Sequence, residues 1–308
     1  MKFEGLRPAY GYGGLDPDCC EYKKSKYVIL PVPYDSTTSY KVGTREGPAA
    51  IINASMNMEL FDIETESNPF EAGICTLPAA EPDLGSPEKF MKKLEKICAE
   101  ILSDDKFLIT FGGEHSISYS PIAAYHKALK KRNRKMAVVQ IDAHSDLRLE
   151  YEGTLYNHAC VMRRVREEFK LHTFHLGIRS YCDEEFEYIK KNKVKVFHGH
   201  EISGRLVEKT PEILNALKGF DDIYLTIDID GFDPSIVPAT GTPEPGGLFW
   251  YETLHFIKEL VKSKTVCGFD LVELMPIPSN HASDFMASKL VYKIIAYMEK
   301  YGRSKKSR

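Results

Sequence analysis

The stretch MAVVQIDAHSD, residues 136–146, runs from a short apolar segment into two aspartates with a histidine between them, and its reading decides the fold. Side chains at i, i+2 and i+4 of an extended segment point the same way. Asp142, His144 and Asp146 therefore share a face, with the small Ala143 and Ser145 behind them. A short apolar run ending in such groups reads as a buried strand that carries chemistry at its carboxyl end. Three more places repeat the device: GGEHS (Gly112 to Ser116), DID (Asp228 to Asp230) and Glu273 each follow or end an apolar run. Open α/β sheets build their sites at that pole.

Working outward, short apolar runs alternate with longer amphipathic stretches, the pattern of βαβ units around a parallel sheet. The runs predict strands at Tyr27–Val32, Gly73–Leu77, Phe107–Phe111, Met136–Ile141, Thr173–Leu176, Val194–Phe197, Ile223–Ile227 and Thr265–Leu271. Helices are predicted over Pro48–Leu60, Pro87–Leu102, Ile117–Lys131, His158–Glu168, Asp183–Lys191, Pro211–Leu217, Tyr251–Lys262 and Ala282–Tyr301.

If the DAHSD and DID segments converge, four carboxylates crowd into one pocket. Each close pair then repels by roughly 4 kcal/mol at an effective dielectric of ~20. Two divalent ions would balance four carboxylates, and His115 and His144 add neutral nitrogen ligands. Carboxylate with some imidazole favours Mn²⁺ over Mg²⁺, Fe²⁺, Co²⁺ or Zn²⁺. The absence of Cys from the three segments argues against a thiolate-rich structural zinc site. An aspartate at a strand end often caps a helix, and a lone histidine is usually structural. Caps do not need five Asp and His residues alternating on one face, so the three segments together outweigh that reading.

The 308 residues, 43% hydrophobic with net charge −3, fit a single large α/β domain, 1–308, with room for a sizeable core. Nothing in the charge balance asks for nucleic acid, and the basic tail, 303–308, reads as a solvated end. Seven scattered cysteines form no disulfide framework and suit a reducing cytoplasm. No signal peptide is visible, and no apolar run approaches the ~20 residues of a membrane span. The segment 1–26, rich in Gly, Pro and Tyr through Cys20, reads as an irregular arm suited to lie across a neighbouring subunit. Two loops, Thr38–Pro48 and Gly241–Gly247, read as lining the site, the second by presenting backbone amides to a ligand.

With GGEHS, DAHSDLR, the NHA around His158, DIDGFDP, GTPEPGGL and DLVEL in this order, the chain resembles the ureohydrolases, which comprise arginases, agmatinases and related guanidino hydrolases. The resemblance runs from about Val28 to Met298 and is nearest to the agmatinases. It implies a three-layer αβα fold around a mostly parallel eight-stranded sheet, two Mn²⁺ ions per chain, a small-molecule guanidino substrate, and a trimer or hexamer. It also assigns His115, Asp142, Asp146 and Asp228 to one ion and His144, Asp142, Asp228 and Asp230 to the other, with Asp142 and Asp228 bridging.

Two divalent ions lower the pKa of water toward neutrality, which suits hydroxide attack on a guanidinium carbon. A carboxylate accepts paired hydrogen bonds from a guanidinium, so Glu273 is expected to orient the substrate. The departing amine needs a proton, and by resemblance His158 supplies it, with Asp146 taking one from water. By sequence alone His158 is equally a helix-start residue after a capping Asn157. His198 and His200 alternate at a strand end and are candidate outer partners, whereas His126 is expected to be a bystander. Arginase-like members carry R-D-x-D after the fifth strand; here the segment is Arg179, Ser180, Tyr181, Cys182. That departure favours agmatine over arginine, with Glu150, Glu152 and Asp183 as acids for a terminal ammonium. Aminopropyl-agmatine and guanidinobutyrate remain alternatives. Two rivals are a ureohydrolase-like regulator without turnover and a one-zinc amide deacetylase.

Overall fold

The computed structural model describes residues 10–83 and 85–302. The expected basic tail, 303–308, and the arm's residues 1–9 lie outside them. Strands β1 (Tyr27–Val32), β2 (Ile74–Thr76), β3 (Phe107–Gly112), β4 (Met136–Ile141), β5 (His172–Ile178), β6 (Lys195–His198), β7 (Asp222–Asp228) and β8 (Thr265–Val272) form one sheet in the order β2-β1-β3-β8-β7-β4-β5-β6. Every pairing is parallel. All eight lie where the apolar runs predict them.

The helices are α1 (Pro17–Cys20), α2 (Gly47–Ser55), α3 (Pro87–Ser103), α4 (Tyr119–Lys130), α5 (Val161–Phe169), α6 (Asp183–Asn192), α7 (Gly199–Ile202), α8 (Leu206–Ala216), α9 (Trp250–Ser263) and α10 (Ala282–Tyr301). They make the outer layers of a three-layer αβα fold. Alternation within each strand divides the core: Tyr27 and Ile29 of β1 face α2, α8, α9 and α10, while Val28, Leu30 and Val32 face α3, α4 and α5. Burial on both faces explains why the strands read as apolar runs rather than polar alternations.

Three differences from expectation have local causes. Helix α2 stops at Ser55, whose hydroxyl bonds back to the Ile52 carbonyl at 2.6 Å and accepts the Gly13 N–H at 2.8 Å. Helix α8 begins at Leu206, so Pro211 lies inside it rather than opening it. The arm is not irregular where described: Tyr12–Gly14 is a 3-10 turn followed by α1. It also packs on its own chain, because the buried Tyr12 donates its hydroxyl to the Ser288 carbonyl at 2.7 Å. Among the described residues, no helix is long and apolar enough to cross a membrane.

Candidate metal centre

The four motif-bearing strands β3, β8, β7 and β4 are neighbours at the middle of the sheet, so their carboxyl ends deliver the motifs to one place. The backbone there leaves the extended form that the spacing argument assumed. Asp230 sits in a 3-10 turn, Ile229–Gly231, held by Asp228 Oδ1 accepting the Asp230 N–H at 2.9 Å. Asp146 has φ 54°, a left-handed conformation, and its Oδ2 reaches within 2.9 Å of His115 Nδ1. Turns therefore achieve the convergence that alternation was expected to supply. Glycines permit the close approach: a Cβ on Gly231 would lie 2.8 Å from the Asp142 nitrogen, and one on Gly113 only 2.0 Å from the Tyr34 oxygen.

His115 and Asp142 anchor the cluster. His115 Nδ1 lies 3.0 Å from Asp142 Oδ2, 2.9 Å from Asp146 Oδ2 and 3.3 Å from Asp228 Oδ2. His144 Nδ1 lies 3.0 Å from Asp230 Oδ2 and 3.7 Å from Asp142 Oδ1. Two donor groups result, His115 with Asp142 and Asp228, and His144 with Asp142 and Asp230, sharing Asp142. All four aspartates are buried.

The donors fit a cation. His115 Nδ1 is buried and makes no hydrogen bond, although three carboxylate oxygens face it. Its other nitrogen, Nε2, stands 2.8 Å from the Thr226 hydroxyl, which donates to Asp270 Oδ1 at 2.6 Å. With its proton committed to Asp270, Thr226 Oγ1 accepts from Nε2–H, and the Nδ1 lone pair is left pointing at the carboxylates. Burial opposes a charged His115, yet Asp142, Asp146 and Asp228 raise its pKa well above the ordinary value. Burial likewise opposes charge on His144, but Asp230 and Asp142 lift it to about 10. Asp142 is pushed up to about 7 by burial and by Asp146 and Asp230. The pocket thus draws protons into positions that a divalent ion can take.

Glu273 also sits in a left-handed backbone conformation, φ 63°, and its Oε1 accepts the His115 N–H at 2.7 Å. Strain of this kind concentrates at functional sites. His158 opens a 3-10 turn capped by Asn157 Oδ1, as the helix-start reading of the position expects. Its ring nitrogen Nδ1 is buried without a partner, and burial lowers its pKa while Asp146 opposes the shift.

Sequence reasoning missed several residues that hold these groups. Thr37 donates its N–H and its hydroxyl to Glu114, each at 2.6 Å, and accepts the His158 N–H at 3.3 Å. Loop 38–48 is thereby tied to the site through the residue that precedes it. Glu185 of α6 accepts the Ser145 hydroxyl at 2.6 Å and the Leu147 N–H at 2.9 Å, fixing the DAHSD turn. Polar residues recurring two positions before a motif, such as Thr226 before Asp228, were the available signal.

The other residues singled out by sequence have surroundings of their own. The Gly246 and Gly247 amides donate to Asp233 at 2.9 and 3.0 Å, so the GTPEPGG loop does not hold them out for a ligand. His198 and His200 stack on each other at 5.4 Å on the edge strand and α7, and His198 Nε2 pairs with the Tyr181 hydroxyl at 3.1 Å. The histidine behind Asp142 is instead His175. Glu150 and Glu152 are exposed on a turn, and Asp183 is an exposed residue of the first turn of α6, where acids suit the helix terminus. His126 packs at 5.7 Å against Phe169.

An eight-stranded parallel αβα protein with adjoining His/Asp donor groups at its carboxyl pole defines a candidate metallohydrolase. Residues 25–296 match the model of the arginase family. The chain is 38% identical to an N1-aminopropylagmatine ureohydrolase of Synechocystis sp., covering 92% of each chain. It is 34% identical to an agmatinase of Pyrococcus horikoshii, covering 93% of this chain and 97% of that one. The crystal structure of the agmatine ureohydrolase of Thermoplasma volcanium superposes with TM-score 0.83 at 31% identity, covering 97% and 96%. The chain belongs to the arginase family and is a ureohydrolase-type hydrolase resembling the agmatinases.

Proposed function

We propose that the protein hydrolyses an amine-tailed guanidino compound to urea and an amine at a centre that holds two manganese ions. The observation that carries this reading is His115 Nδ1, buried, unpartnered and facing three carboxylates. One ion would be held by His115, Asp142, Asp146 and Asp228, the other by His144, Asp142, Asp228 and Asp230. When bound, such ions acidify water and act as Lewis acids. Carboxylate ligation with two imidazoles suits manganese.

The chain's own groups supply the rest. Glu273, anchored by one oxygen to the His115 N–H, presents a carboxylate to a guanidinium, whose N–H groups match it in fork geometry. His158, with a free ring nitrogen, protonates the departing amine. Asp146 accepts the proton given up by water. Burial around these groups limits access of bulk water and strengthens each charge interaction.

The sequence departure at Arg179–Cys182 favours agmatine, which would yield putrescine. A second reading, N1-aminopropylagmatine, is favoured by the relatives that bear that activity in their names at 34–38% identity. A urea-release screen with manganese across agmatine, N1-aminopropylagmatine, guanidinobutyrate and arginine decides between them, and absence of urea from all four would reject the reading. A ureohydrolase-like assembly of three or six copies is the expected quaternary state. The seven free thiols support a reducing compartment such as the cytoplasm.

A further inference from the structure

One residue layer below the candidate ligands, four polar side chains lie in register across four adjacent strands. Asp270 of β8 pairs with Thr226 of β7, Thr226 with Gln140 of β4, and Gln140 with His175 of β5. All four are fully buried. The half toward β8 orients His115, as described above. The half toward β5 has a direction of its own.

An ionised Asp142 can only accept, so the Gln140 amide nitrogen faces it, the Gln140 oxygen accepts from His175 Nδ1, and a neutral His175 accepts the Thr173 hydroxyl proton, whose oxygen takes the Arg166 N–H. Arg166 Nη1 donates to Thr173 Oγ1 at 3.1 Å, and the Thr173 hydroxyl lies 2.6 Å from His175 Nε2. The remaining imidazole proton is then on Nδ1, directed at Gln140 Oε1. With its oxygen so engaged, Gln140 turns its amide nitrogen to Asp142 Oδ2 at 2.6 Å and to the His144 carbonyl at 3.3 Å. A reversed amide would set its oxygen against a carboxylate.

We propose that Gln140 is a positioning residue for the metal centre, holding Asp142 and the His144 backbone in ligating pose, with its amide orientation locked by Arg166 through Thr173 and His175. The proposal rests on the metal reading above. Burial and the Arg166 charge push His175 down to about 3, in keeping with a neutral relay group. Groups behind metal ligands typically alter affinity or activity 10–100-fold when replaced.

The test is manganese titration of metal-free wild type, Gln140→Leu, His175→Leu and the double variant by calorimetry, with electron paramagnetic resonance of the loaded proteins. Each single variant is expected to weaken manganese binding by about 10-fold or more and to change the resonance spectrum. In the Gln140→Leu background, His175→Leu is expected to add almost nothing, because the relay acts through the amide. Independent, additive losses would overturn the relay, and unchanged affinity in both single variants would overturn the positioning role. Thr173→Val cuts the same relay with little change of shape; if His175→Leu does not fold, a several-fold loss in this variant supports the relay and wild-type affinity overturns it. Wild type that takes up no manganese would reject the metal centre itself, an outcome distinct from the others.

Discussion

The carboxylate of Glu273 accepts the backbone N–H of His115 at 2.7 Å, which ties the end of β8 to the turn after β3. One oxygen is thereby anchored while the side chain stays at the donor cluster. Replacing Glu273 with Ala removes an acceptor for the guanidinium but no proposed metal ligand. The expected result is a fall in kcat/KM of about 100-fold, as for loss of an oriented charged contact worth roughly 3 kcal/mol. Manganese content should stay at the wild-type level, and metal loss in this variant would contradict the orienting role.

Asp142 faces both imidazoles, Oδ2 toward His115 and Oδ1 toward His144. In Asp142→Asn one of those oxygens becomes an amide nitrogen, which cannot ligate a cation as the carboxylate does. Urea release should be abolished and metal occupancy reduced, as read by elemental analysis. Full occupancy with full activity would mean that Asp142 bridges nothing.

His158 has a buried, unpartnered ring nitrogen and a backbone fixed by Thr37 and the Asn157 cap. His158→Asn keeps the turn but removes the titrating group. A large fall in kcat with an altered kcat–pH profile is expected, and an unchanged profile would take His158 out of the proton path.

Acid should destabilise the fold through His175. Burial and Arg166 push its pKa from the ordinary 6.5 to about 3. The unfolded chain gains a proton near pH 6.5 that the folded chain refuses until about pH 3, so stability falls as pH drops through that window. Urea denaturation of the metal-free protein should show a pH slope steeper by up to one proton in wild type than in His175→Leu. Equal slopes would mean that His175 is not held neutral.

The strands and the convergence of motifs were legible because chemistry-bearing residues stand out against apolar runs buried on both faces. What remained hidden depends on neighbours that sequence order does not reveal. Asp230 and Asp146 reach the cluster through a 3-10 turn and a left-handed residue, and no spacing rule separates those from an extended segment. Gln140 and His175 lie 35 positions apart and gain meaning only once β4 and β5 pair in register. His198 and His200 alternate at a strand end in the sequence, yet that strand is the edge of the sheet and His200 already belongs to α7. The glycine-rich loop after DID has its Gly246 and Gly247 amides engaged by Asp233, a partner outside the loop.

Arg179 carries a consequence for the turn after β7. Its guanidinium donates to the carbonyls of Gly177, Asp230, Gly231, Phe232, Glu244 and Pro245. A cation so saturated is a rivet between two loops and has no hand free to greet an incoming carboxylate. Its work is mechanical: it fastens the turn that carries Asp230 to the loop around Glu244, so that a candidate ligand is braced from outside the sheet.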